Sequence, residues 1–307
     1  MDKNFFKTIK ILDGGMGQEL LARGLKPKGT LWSASALINK DYHQLVVDTH
    51  LDYIKSGAEV ITTNTFSTRR ERLIENKCLK TFEYANQMAG KLAVKAKKIS
   101  KKNVLIAGSL PSQKGTYIVD IREHKIIEKD FNDQAQLLKP FIDFFYLDVI
   151  SSSKEIGIVM NVLKKINLPV LVGLHISKNG QLPSGESITK TVQKYRDENW
   201  LGIVLACVSP EIIENSINEI NNLDIPFGYK ANLWKIDPIS ADEIKKKNKS
   251  YSVEEGVNPN VVLGKRENYT PEIFYNFSKK MKSKGATILG GCCETNPLHI
   301  KEISRLK

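Results

Sequence analysis

Eight short apolar segments rich in β-formers, each followed by a longer amphipathic stretch, constrain this chain more than any other feature. The segments lie at residues 9–12, 60–63, 104–107, 144–149, 170–175, 203–206, 226–229 and 287–289. Helical periodicity runs between them at 42–55, 84–98, 133–141, 154–165, 188–198, 210–221 and 271–284. Strands that alternate with helices must pair in parallel, and eight of them predict a closed (β/α)8 barrel of the α/β class. One irregular stretch, 233–267, carries Pro238, Gly256, Pro259 and Gly264 and reads as a long loop with a short helix at 241–247. No linker divides the 307 residues, and 41% of them are hydrophobic, enough to fill one barrel interior. A single domain over 1–307 is expected.

In such barrels the loops that follow the strands carry the chemistry. Those positions hold Asp13-Gly14-Gly15-Met16-Gly17, Thr62-Thr63-Asn64-Thr65-Phe66, Gly108-Ser109-Leu110-Pro111, Asp148, Cys207 and Cys292-Cys293. Only four cysteines occur, and two are adjacent. Strands six and eight could therefore bring three sulfurs to one point. Three soft ligands with an open fourth position suit a catalytic zinc whose incoming ligand is itself a thiol. The competing reading is inert buried thiols acting as small hydrophobes, since no local CxxC or HxxxH spacing occurs. A bridge between Cys292 and Cys293 would be strained, and Cys78 stands without a second ligand nearby and reads as structural.

The Asp13 loop lacks nucleotide-binding spacings. Its glycines let backbone N–H groups approach a carboxylate while Asp13 takes an ammonium, or else they simply make a tight turn that opens a helix. Asp148 is a second strand-end carboxylate, stable when buried only if its charge is compensated. Paired-carboxylate hydrolysis would leave the thiols without a role.

The net charge of +12 comes from lysine runs at 95–102, 245–247 and 279–284. Few aromatics interleave with them and no glycine-rich nucleic-acid loop accompanies them, so they read as solvated surface and nucleic acid is not expected as a partner. An anionic substrate drawn in by the positive field is the lesser alternative. The N-terminus has no apolar signal core and no stretch is long enough to span a membrane, so reduced thiols and a cytoplasmic location are expected. Oligomeric state is not legible.

Asp13-Gly14-Gly15-Met16-Gly17, Leu31-Trp32-Ser33, the run from Gly57 to Phe66, Gly108-Ser109, Cys207, Leu263-Gly264 and the run from Gly285 to Cys293 resemble the homocysteine S-methyltransferase family, from Ile11 to about Ile300. The resemblance implies a (β/α)8 barrel in which Cys207, Cys292 and Cys293 bind zinc. It implies that Asp13, Gly14, Gly15, Met16 and Asp148 hold the amino acid part of homocysteine. Trp32, Thr63, Asn64, Phe66 and Asn232 would complete the substrate pocket. The reaction implied is methyl transfer to homocysteine from a small onium donor, S-methylmethionine first and betaine second, giving methionine. A methylfolate donor is less expected, because the chain ends just after the barrel. The chain departs from the family pattern with Asp148 in place of glutamate, Ala206 in place of asparagine and Leu233 in place of glycine. Aromatic faces recognise onium cations, and Trp32, Phe66, Tyr117, Tyr229 and Trp234 fall near predicted strand ends. A zinc-binding, non-catalytic sensor of thiol metabolites is the alternative in a second functional class.

Overall fold

The computed structural model describes residues 2–238, 246–247, 256 and 258–307. The expected helix at 241–247 lies outside the described residues except for Lys246 and Lys247. Eight parallel strands appear where the apolar segments predict them: β1 Lys10–Ile11, β2 Val60–Thr62, β3 Leu105–Pro111, β4 Phe144–Ile150, β5 Val170–Leu174, β6 Trp200–Val208, β7 Phe227–Ala231 and β8 Ile288–Gly291. Their order is β1-β8-β7-β6-β5-β4-β3-β2. A parallel bridge between Leu12 and Val60 joins the two ends of the sheet, with the Glu59 amide donating to the Ile11 carbonyl at 2.8 Å. The result is a (β/α)8 barrel.

Alternation along the strands sorts side chains into two layers. Leu12, Val60, Tyr146, Leu171, Val204 and Ile288 fill the barrel interior, together with Phe6 and Phe144. Ile11, Leu147, Val172, Leu205, Tyr229 and Leu289 face the helices and pack on Ile156, Val159, Leu163, Ile217, Phe274 and Phe277. Each such aliphatic side chain removed from water contributes about 1.5–3 kcal/mol, so the two layers dominate the stability.

Helix starts follow local chemistry. Pro210, Pro271 and Pro297 occupy first turns, where a missing N–H costs nothing, and the Thr270 and Asn296 side chains cap the exposed amides. One boundary departs from the sequence reading. The helix expected over 133–141 begins at His124 and runs His124–Leu138, followed by a 3-10 turn at Lys139–Phe141. Its extra turns are highly charged and bury just two apolar residues, Ile127 and Phe131, which continue the stripe of Ala135 and Leu138, too sparse a signal to stand out in sequence.

Described lysines of the basic runs lie on the surface, where Lys97 pairs with Asp143 and Lys280 with Glu214. Among the described residues, no helix is long and apolar enough to cross a membrane.

Candidate active site at the barrel mouth

Two strands change phase where they reach the mouth. In β6 the pairing with β7 shifts between Ala206 and Val208, and Cys207 between them has φ +54°. Strict alternation would turn Cys207 outward, like Leu205. The bulge instead brings it into the interior layer and sends Val208 to the helices. In β4 the register with β5 shifts between Leu147 and Ile150, with Val149 at φ +63°. Asp148 and Val149 then both line the mouth. The cavity there, about 600 Å³ including its open end, is also lined by Asp13, Gly14, Gly15, Met16, Trp32, Thr63, Asn64, Phe66, Tyr117, Lys230 and all three clustered cysteines.

The thiols converge from β6 and from the turn after β8. Cys207 Sγ lies 3.8 Å from Cys293 Sγ, Cys292 Sγ lies 4.0 Å from Cys293 Sγ, and all three sulfurs fall within 4.8 Å of one another. Burial alone would raise the Cys207 thiol, but hydrogen bonds from Cys292, Cys293 and Tyr117 hold it well below its ordinary value. Donation toward Cys207 raises Cys292 and Cys293 in turn. The cluster thus favours the thiolate at Cys207 over its two neighbours, and a divalent cation is what would let all three sulfurs ionise together. The spacing fits one: sulfurs about 2.3 Å from a tetrahedral zinc stand roughly 3.8 Å apart. Cys78 lies apart, with its thiol on the Leu73 carbonyl at 3.6 Å.

The Asp13 loop is held against the turn that carries the thiols. The Gly15 amide donates to the Thr295 carbonyl at 3.0 Å, and the Gly291 amide to the Asp13 carbonyl at 3.0 Å. A Cβ on Gly15 would stand 2.5 Å from the Cys292 carbonyl oxygen, and one on Gly17 would stand 2.5 Å from the Trp32 indole. These glycines are therefore required by close packing. The Gly15 amide is itself engaged by the Thr295 carbonyl.

Asp13 itself is committed within the protein. Its carboxylate accepts from the Thr62 amide at 2.6 Å and the Thr62 hydroxyl at 3.0 Å, and pairs with Lys230 Nζ at 2.5 Å. It was expected to face a substrate ammonium; the buried lysine faces it instead. Asp148 is less committed. One oxygen accepts from the Ser109 hydroxyl at 2.8 Å. Burial, with the Cys292 sulfur nearby, pushes this carboxyl up to about 7 despite the opposing pull of Lys230.

Three of the five aromatics named from sequence line the cavity: Trp32, Phe66 and Tyr117. Trp32 meets Phe66 edge to face at 6.2 Å, and its indole N–H donates to Gln18 at 3.0 Å. Gln18 is fixed in turn by Asn260 at 2.6 Å and Glu294 at 2.5 Å, two residues that carried no sequence signal. Tyr117 packs on His175, whose ring burial pushes down to about 4, and shares a hydrogen bond with Cys207 Sγ at 3.2 Å. Tyr229 points to the helices, against Phe274 and Phe277, and Trp234 is buried outside the cavity. Thr63 and Asn64 line the wall, the latter donating to the Ser33 carbonyl at 3.1 Å. Asn232 does not line it. It stands behind Cys207 and donates to that residue's carbonyl at 2.8 Å. Lys230 was missed, although a lysine within the apolar run Phe227-Gly228-Tyr229-Lys230-Ala231, on the strand face opposite Tyr229, was a legible signal.

The fold and site define a (β/α)8 barrel whose C-terminal mouth holds a thiol triad, two buried and one half-buried, beside carboxylates and aromatic faces. The chain belongs to the homocysteine S-methyltransferase family, whose family model matches residues 10–306. Homocysteine S-methyltransferase 1 of Brassica oleracea var. italica is 26% identical, over 96% of this chain and 92% of that protein. Homocysteine S-methyltransferase 2 of Saccharomyces cerevisiae is 23% identical, over 97% and 94%. Among solved structures, the metallated form of the homocysteine methyltransferase MmuM from Escherichia coli shares the fold with a TM-score of 0.76 at 17% identity, over 97% of this chain and 96% of that one.

Proposed function

We propose that this protein transfers a methyl group from a small onium compound, S-methylmethionine first and betaine second, to the thiol of homocysteine, giving methionine. The observation that carries the reading is the convergence of three thiols on one wall of a cavity that also presents Asp148 and an aromatic edge. Cys207, Cys292 and Cys293 would hold zinc. When bound, that ion supplies the Lewis acidity that keeps a substrate thiol deprotonated at neutral pH.

The protein's own groups orient the reaction. Asp148, steadied by Ser109, takes the acceptor's ammonium and sets its sulfur toward the thiol wall. Trp32 and Phe66 present the face and edge that favour a methylated cation. The acceptor's thiol proton passes to solvent, and the resulting thiolate sulfur attacks the donor's methyl carbon as the donor's bond to that carbon breaks. The bonding pair leaves with the donor heteroatom, which becomes neutral. Tyr117 and Val149 line the same cavity, where their apolar surfaces would keep water from the attack. We read the reaction as a step of methionine biosynthesis in the cytoplasm, a reading supported by four cysteines that all stand as free thiols.

A turnover screen of the zinc-loaded protein tests the reading. Homocysteine with S-methylmethionine or betaine is expected to yield methionine. Homocysteine binding without methionine from any methyl donor would make the protein a thiol sensor and overturn the enzymatic reading.

A further inference from the structure

Lys230 is buried on the inner face of β7, 5% exposed, and lines the same cavity as the thiols. An ammonium offers three N–H donors. Two of them point at Asp13, to Oδ1 at 2.5 Å and to the carbonyl oxygen at 3.4 Å. Among the described residues the third has no hydrogen-bond acceptor, and the Tyr146 ring lies beside it with its centroid 5.9 Å from Nζ. Burial works against the lysine's charge, but Asp13 outweighs it and the amine stays protonated. Asp148 is its counterpart in the cavity, with one oxygen on Ser109 and the other without a hydrogen-bond partner among the described residues. The cavity therefore presents one spare cationic donor and one spare anionic acceptor.

We propose that Lys230 binds the acceptor's carboxylate, so that Lys230 and Asp148 together restrict the acceptor to a thiol carrying a free α-amino acid head. This deepens the reading given under the proposed function and rests on it. The two charges of a zwitterion are each compensated only when a cation and an anion flank it, and a buried carboxylate left without a partner is strongly disfavoured. Asp13 cannot serve the acceptor's ammonium as freely as Asp148, because Lys230 and Thr62 already occupy both of its oxygens. The Asp13–Lys230 pair then acts as a preformed carboxylate receptor, Asp13 holding the lysine in place and in its charged form.

The test is direct binding, measured by calorimetry on the zinc-loaded protein, with homocysteine, 3-mercaptopropylamine, which lacks the carboxylate, and 4-mercaptobutanoate, which lacks the ammonium. Wild-type protein is expected to bind homocysteine roughly ten-fold to a hundred-fold more tightly than 3-mercaptopropylamine, the range for a charge-assisted hydrogen bond. Lys230→Met should erase that difference by weakening homocysteine and 4-mercaptobutanoate while leaving 3-mercaptopropylamine unchanged. The double variant Asp13→Asn with Lys230→Met removes both charges, so neither is left buried alone, and should show the same pattern. Equal wild-type affinities for homocysteine and 3-mercaptopropylamine would overturn the proposal without any variant. So would an equal loss for all three thiols in a folded variant, which would make Lys230 only a structural counter-ion of Asp13. Selective homocysteine binding with no methyl transfer would instead overturn the enzymatic reading and uphold the receptor.

Discussion

The Sγ atoms of Cys207 and Cys293 stand 3.8 Å apart although 86 residues separate them in the chain. Parallel strands six and eight both end at the barrel mouth, and only β7 lies between them. A left-handed residue in β6 turns one thiol inward, and the tight turn after β8 presents the other two.

Zinc content follows from that arrangement. The purified protein is expected to hold about one zinc per chain, a closed set of three thiols having one tetrahedral position to spare. Cys207→Ala, Cys292→Ala and Cys293→Ala should each lose most of it, while Cys78→Ala keeps it. Asn232→Ala, which frees the Cys207 carbonyl, should weaken zinc about 10–100-fold, as loss of an outer partner commonly does. Metal analysis and a zinc competition titration check these outcomes, and full zinc in any of the first three variants would remove that cysteine from the set.

Asp148→Asn should raise KM for homocysteine far more than it changes zinc content. Loss of a charge-assisted bond typically costs roughly 1.5–3 kcal/mol, about a ten- to hundred-and-fifty-fold change. Steady-state kinetics at fixed donor concentration reads it. An unchanged KM would assign the ammonium to another residue.

Trp32 should control the donor and not the acceptor. Donor affinity is expected to fall in the order Trp, Phe, Ala across Trp32→Phe and Trp32→Ala, by roughly 0.5–2 kcal/mol for the cation–π contact. Homocysteine affinity and zinc should barely move. Equal binding of every onium donor by Trp32→Ala would place the cation site elsewhere.

Glu155 links stability to pH away from the site. Its side chain is buried, with one oxygen accepting from the Ser152 hydroxyl at 3.0 Å, and burial pushes its carboxyl up to about 7 against the pull of the Ser112 and Ser152 hydroxyls. The folded state therefore binds this proton more tightly than the unfolded chain. Stability from this group is full below the unfolded value near 4.5 and is lost as pH rises toward 7. Glu155→Gln should stabilise the protein at pH 8 by about 1–3 kcal/mol and give no gain at pH 4. Urea unfolding at the two pH values tests this, and an equal effect at both would show that the carboxyl does not titrate in that window.

The sequence by itself determined the barrel, because periodicity is local: apolar runs of strand length alternating with amphipathic stretches admit few other arrangements. It also determined which residues reach the mouth from strand ends, including the three cysteines, Asp148, Trp32 and Phe66. Only the tertiary structure decided how those residues pair. Asp13 faces Lys230 across β8, Asn232 stands behind Cys207, and Tyr229 faces the helices. The first two relationships depend on register between different strands, β1 with β8 and β7 for one and β6 with β7 for the other, and a single residue of slip would reverse every side chain. The bulges at Val149 and Cys207 are such slips, and their positive φ angles leave no compositional mark, since neither residue is glycine. Cooperative packing around the barrel imposes those angles, and it is that packing which turns Cys207 toward Cys292 and Cys293.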